Sequence, residues 1–115
     1  MAGNAKQAVD PEIVTSVQRY LRALAGKGIE ADFGVLFGSQ ATGKAHEWSD
    51  IDLVVVAPHF DEGIRREDVY RLWELAAHTD NRIEPVPCGE RLWREDDSSA
   101  IIEIARREGV IITLN

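Results

Sequence analysis

The feature that most restricts the fold is the run Ile51 to Val56, which is rich in β-branched apolar residues and carries a single acid. Such a run is typical of a strand whose faces are at least partly buried. A shorter apolar run, Phe33 to Phe37, predicts another strand. Arg82 to Val86, which ends at Pro87, and Val110 to Leu114 predict two more. These strands require a sheet and elements that cover it.

Segments with apolar residues at helical spacing separate the strands. The predicted helices run from Asp10 to Gly26, from Arg65 to about His78 and from about Ser98 to Glu108. Trp73 falls on the apolar face of the second helix and is expected in the core. The acidic run Arg94 to Asp97 is expected to be a solvated loop. The alternation predicts an α/β (α+β) fold, with helices packed on a small mixed β-sheet.

Length and charge narrow the class of protein. The 115 residues suit a single domain, 1–115, with a frayed start at residues 1–9. A net charge of −7 disfavours direct nucleic-acid binding. The chain has no apolar run long enough to span a membrane, and its single cysteine, Cys88, indicates the reducing cytoplasm. The sequence does not determine the oligomeric state, and a homo-oligomer is one of the alternatives.

The stretch between the first two strands contains most of the candidate phosphate-binding and metal-binding residues. Gly38 directly follows a strand and permits a tight turn, after which a helical turn and the Ser39 hydroxyl can bind phosphate. Asp50 and Asp52 are two positions apart at the start of the next strand, so their carboxylates share a face. Two like charges so placed repel each other unless a cation lies between them. This pairing suits Mg²⁺ or Mn²⁺ and a nucleoside triphosphate.

Glu84 is a candidate third carboxylate, because it interrupts an apolar strand where an unpaired acid is costly to bury. It joins Asp50 and Asp52 only if the two strands are neighbours. An exposed position on an edge strand, next to Pro85, is the alternative. Trp48 either stacks on a nucleobase or anchors beside the sheet.

These residues resemble the minimal nucleotidyltransferases of the DNA polymerase β superfamily. The matching elements are Phe37-Gly38-Ser39 and, about ten residues later, Asp50-Ile51-Asp52-Leu53. The resemblance implies a nucleotidyltransferase palm in which Gly38 and Ser39 bind the nucleotide phosphates. Asp50, Asp52 and Glu84 are then the catalytic and metal-binding acids. The third acid of the family is often Asp rather than Glu.

The chain departs from the superfamily pattern at the residues expected to neutralise the phosphates. Many members of the superfamily carry basic residues in the turn after Gly-Ser, where this chain has Gln40 and Thr42. Phosphate neutralisation then falls to Lys44 or to the metal ions. Lys44 is therefore the third predicted nucleotide-binding residue, with a solvated loop lysine as the alternative.

The resemblance also implies a role. It points to transfer of AMP from ATP to an acceptor hydroxyl, on a helical HEPN-family toxin for which this chain is the antitoxin. Larger members of the superfamily add a segment that holds the acceptor, and we expect the acceptor site here to be completed by a partner. Two alternatives stay open: a non-catalytic antitoxin that inhibits its partner by binding, and a transferase acting on small molecules such as aminoglycosides.

Overall fold

A computed structural model describes residues 9–46, 48–95 and 99–115. The elements in chain order are α1 (Pro11–Ala25), β1 (Phe33–Phe37), α2 (Ser39–Thr42), β2 (Ile51–Ala57), a 3₁₀ turn (Pro58–Phe60), α3 (Arg66–Thr79), β3 (Ile83–Gly89), α4 (Glu90–Glu95), α5 (Ala100–Glu108) and β4 (Val110–Ile112). The predicted frayed start lies outside the described residues except for Val9, which is buried in the core, so that prediction is wrong for Val9. Among the described helices, none has the length and apolar character needed to cross a membrane.

The strands form a mixed sheet in the order β3-β2-β1-β4, which confirms the predicted fold class. β1 is antiparallel to both β2 and β4, whereas β2 and β3 are parallel. β3 does not end before Pro87 as predicted but continues to Gly89. It lies at a sheet edge, where a proline removes no hydrogen bond that a second neighbouring strand requires.

Helices pack on both faces of the sheet. α1 and α3 cover one face, where Tyr20, Leu53 and Leu72 belong to the larger core cluster. α5 packs on the opposite face, where Ile102 joins a smaller cluster with Val54. β2 is therefore buried on both sides, which explains its nearly continuous apolar sequence.

The outer face of α3 corrects the prediction for Trp73. The residues of α3 that are buried are Asp68, Leu72 and Ala76, while Trp73 is 47% exposed. The apolar spacing fits a helix in more than one rotation, and the sequence pattern alone does not choose between them. In the structure α3 is rotated about its axis so that Asp68 is buried and Trp73 faces outward.

The predicted acidic loop is also partly helical, since Arg94 and Glu95 belong to α4; Asp96 and Asp97 lie outside the described residues. The Arg106 side chain on α5 donates hydrogen bonds to the carbonyl oxygens of Leu92 and Trp93. A distant residue thus satisfies the carbonyls at the end of this short helix. Local sequence gives no sign of that interaction.

Asp68 is a buried anchor at the start of α3. Its carboxylate accepts hydrogen bonds from the Arg65 backbone N–H at 3.1 Å and from His59 Nε2 at 2.9 Å. Burial opposes its ionisation, but the hydrogen bonds from His59 and Arg65 hold the pKa of Asp68 below its usual value. The charge of Asp68 therefore stabilises the folded state.

We expect Asp68→Ala to lower the free energy of unfolding by about 2–3 kcal/mol, because it leaves the Arg65 N–H and His59 without their acceptor. Since the folded pKa of Asp68 is depressed, its contribution is present above about pH 4 and is lost as the pH falls further. Urea unfolding between neutral and acidic pH measures both effects. Equal stability of the wild type and the variant at neutral pH would contradict this role, and Asp68→Asn, which keeps an acceptor, is the milder control.

Candidate active site

The turn after β1 adopts a conformation that requires glycine. Gly38 has φ 74° and ψ −150°, and Ser39 begins the single helical turn of α2. The helical turn predicted after Gly38 is therefore present. A Cβ atom on Gly38 would collide with Oδ2 of Asp52. Glycine thus allows the turn to lie directly against this carboxylate.

The sheet brings the predicted acids to the same place. Asp52 lies opposite Phe37 on β1 and opposite Glu84 on β3. Asp50 immediately precedes β2, and its carboxyl group is within hydrogen-bonding reach of that of Glu84. The adjacency of β2 and β3, on which the placement of Glu84 depended, is observed. The turn and the three acids meet at one end of the sheet.

The carboxyl groups repel one another, and this shifts their protonation. Burial and the nearby charge of Asp50 raise the pKa of Asp52. Burial raises the pKa of Glu84, and its hydrogen bond with Asp50 and the charges of Asp50 and Asp52 add to the increase. Ionising all of them without a cation is therefore unfavourable. The site has the electrostatic character of one that accepts positive charge.

The donor set fits a hard divalent cation shared with a substrate. Within residues 9–46, 48–95 and 99–115, no three His, Cys, Asp or Glu side chains form a ready-made metal site. Mg²⁺ is commonly bound by one or two carboxylates together with substrate phosphates and water, rather than by an all-protein cage. Asp50, Asp52 and Glu84, beside a turn suited to phosphate, supply the protein part of such a set.

The remaining predicted residues occupy the loop that joins α2 to β2. Lys44 is exposed, and its backbone N–H donates to the Ser39 carbonyl. Trp48 is 80% exposed, so it does not anchor beside the sheet. Gln40 was noted above only because it carries no positive charge. It is buried, and its Nε2 donates a hydrogen bond of 3.4 Å to the carbonyl oxygen of Asp50. It ties α2 to the start of β2, a role that the local sequence does not signal.

The comparisons with known proteins agree with this geometry. Residues 19–107 match the family model described as the nucleotidyltransferase domain. The chain belongs to that family. A solved structure described as the crystal structure of a toxin-antitoxin with AMP-PNP is similar to this nucleotidyltransferase domain, with a TM-score of 0.56 and 22% identity over 83% of this chain and 71% of that chain. At this identity the likeness shows the fold. No curated protein matches the sequence.

We expect Gly38→Ala to weaken ATP binding at least about tenfold and to lower the free energy of unfolding by about 2–3 kcal/mol, because the backbone is strained and Asp52 is displaced. Gly28→Ala is the matched control, since Gly28 also has a positive φ, 87°, but no atom within 4 Å of an added Cβ. The control should lose stability and keep ATP binding. Calorimetric titration and thermal unfolding measure the two effects, and normal ATP affinity in Gly38→Ala would contradict the site.

Proposed function

We propose that this chain is an antitoxin that transfers AMP from ATP to a hydroxyl group of a helical, HEPN-type toxin partner. The observation that carries the proposal is the meeting of the Gly38 turn, Asp52 and Glu84 at one sheet end. A phosphate-binding turn facing paired acids suits phosphoryl-type transfer, which depends mainly on positioning and on charge stabilisation. Membership of the nucleotidyltransferase family supports the same reaction class.

Each group has a defined part in the proposed reaction. Ser39, the turn around Gly38 and Lys44 would hold the phosphates of ATP, and Asp50, Asp52 and Glu84 would hold Mg²⁺ or Mn²⁺. When bound, the metal would neutralise charge on the phosphates and on the leaving group. The acceptor oxygen forms a bond to the α-phosphorus, and the bond to the bridging oxygen of the β-phosphate breaks. Glu84 takes the hydroxyl proton, and pyrophosphate leaves beside Ser39.

The proposed partner rests on two kinds of support. The similar solved structure is of a toxin-antitoxin with AMP-PNP, a nonhydrolysable relative of ATP. The motif resembles the minimal nucleotidyltransferases paired with HEPN toxins. The net charge of −7 also suits a basic partner.

A binding-only antitoxin is the second candidate, and the neutral turn favours it. Gln40 and Thr42 provide no positive charge for the phosphates, and Gln40 is buried beneath the turn. In that case the chain inhibits its partner by contact alone. The presence of metal-dependent ATP binding separates the candidates, because a binding-only role does not require it.

We expect the chain alone to bind ATP in the presence of Mg²⁺ and to lose this binding in EDTA. The reason is that the carboxylates of Asp50, Asp52 and Glu84 repel the triphosphate unless a cation lies between them. Calorimetric titration with and without Mg²⁺ measures the difference. Equal affinity in EDTA, or no binding in either condition, would contradict the proposed transferase.

A further inference from the structure

The face of the sheet that carries the acids continues into an apolar surface. Because paired residues of adjacent strands point to the same side, Asp52 and Glu84 share their face with Val54 and Val86. Val54 also pairs with Val35 on β1, and Val35 pairs with Ile111 on β4, so these residues form one row across the sheet. Ile111 therefore lies on the acid-bearing face, one row further along the strands.

Three isoleucines on this side are exposed, and we call them the isoleucine strip. They are Ile101 and Ile104 on α5 and Ile111 on β4, with exposed fractions of 47%, 38% and 56%. α5 buries Ile102 and Ala105 against the sheet, so Ile101 and Ile104 lie on its outer flank. α5 leads directly into β4, which places the strip along one border of the face.

The strip and the acids are close enough to contact one protein together. Two strand spacings and a two-residue step along a strand separate Ile111 from Asp52, which is about 12 Å between backbones. A typical interface covers about 800 Å² on each partner, roughly 30 Å across. A single bound protein can therefore bury the isoleucines and still reach Glu84.

The two edge strands of the sheet differ in the residues that discourage pairing with another chain. β3 carries Pro85 and Pro87, residues that discourage pairing at an edge. β4 is Val110-Ile111-Ile112, with neither a proline nor a charge. The edge without prolines is thus the one that carries part of the isoleucine strip.

We propose that the isoleucine strip is the docking surface for the protein that accepts the nucleotide, an inference that rests on the proposed function. The partner has an apolar patch that covers Ile101, Ile104 and Ile111. Around that patch its surface is basic, which complements the net charge of −7 of this chain, while Asp50, Asp52 and Glu84 stay available to the metal and ATP. Docking there brings its hydroxyl to the acids.

The test compares charged substitutions on opposite faces of the sheet. Ile104→Glu and Ile111→Glu alter the strip. Trp73→Glu is the matched control, because the exposure of Trp73, 47%, lies between those of Ile104 and Ile111, but Trp73 is on α3, on the other face. The probe is the purified product of the neighbouring reading frame, which the proposed function expects to be a helical protein. Its affinity is measured by calorimetry, its modification by intact mass in ATP and Mg²⁺, and the folding of each variant by thermal unfolding.

We expect each strip variant to weaken partner binding at least about tenfold and to slow AMP transfer, while metal-dependent ATP binding by the chain alone is unchanged. Trp73→Glu should leave all of these near wild type. Wild-type partner binding in both strip variants, loss of binding only in Trp73→Glu, or no complex with the wild type would overturn the proposal. So would a strip variant that changes only self-association of the chain. ATP binding without a partner tests the proposed function separately.

Discussion

Asp52→Asn is expected to slow AMP transfer by about 1,000-fold or more, which corresponds to about 4 kcal/mol of lost transition-state stabilisation. Asp52 lies between the Gly38 turn and Glu84, and is therefore the one acid in register with both other strands of the site. Its amide replacement keeps the shape but loses the negative charge that, in the proposed function, would hold a cation against the phosphates. Quantifying the modified partner over time by intact mass gives the rate.

The folded state should tolerate this change. Burial and Asp50 already raise the pKa of Asp52, so removing its charge relieves repulsion. We expect the melting temperature at neutral pH to be equal to or above that of the wild type. Asp32→Asn, at the opposite end of β1, is the control with the same chemical change and should keep full activity. Wild-type transfer by Asp52→Asn would contradict the assignment.

Glu84→Gln is expected to reduce turnover by about 100- to 10,000-fold while changing ATP affinity only a little. Glu84 lies on β3 next to Asp50 and opposite Asp52, and its proposed part is to take the hydroxyl proton. A proton acceptor acts mainly in the transition state. Single-turnover rates combined with calorimetric ATP affinities separate the two effects.

The opposite pattern would reassign Glu84. If Glu84→Gln weakened ATP binding as strongly as it slowed transfer, Glu84 would act only in ground-state binding of the metal and nucleotide, and not as the proton acceptor. Unchanged turnover and affinity would mean that its position opposite Asp52 is structural. Glu90→Gln is a useful control, because Glu90 also has a pKa raised by a neighbouring acid, Asp32, but begins α4 beyond the end of β3.

The sequence predicted the proximity of the Gly38 turn and the paired acids because its signals are local. Gly38 and the pair Asp50 and Asp52 are separated by a short loop, and the strands on either side have strong apolar patterns. An antiparallel pairing of β1 with β2 then places the turn beside Asp52. The same local patterns predicted the helix Arg66–Thr79 to within one residue at each end.

The features that sequence did not predict depend on distant contacts. The rotation of α3, and with it the exposure of Trp73, accompanies burial of Asp68 against His59. Arg106, from α5, donates hydrogen bonds to carbonyl oxygens of α4, and β3 continues past Pro87 because it is an edge strand. Predicting the position of Glu84 required the order of the strands in the sheet, and spacing along the chain does not reveal that order.

The central claim is that this fold transfers a nucleotide to a partner protein. The most direct measurement is the intact mass of the product of the neighbouring reading frame, which the proposal expects to be the helical partner, after incubation with the chain, ATP and Mg²⁺. The account predicts a gain equal to AMP, with matching release of pyrophosphate, and no gain in EDTA or with Asp52→Asn. A partner that binds and is inhibited but keeps its unmodified mass would contradict transfer and would establish the chain as a binding-only antitoxin.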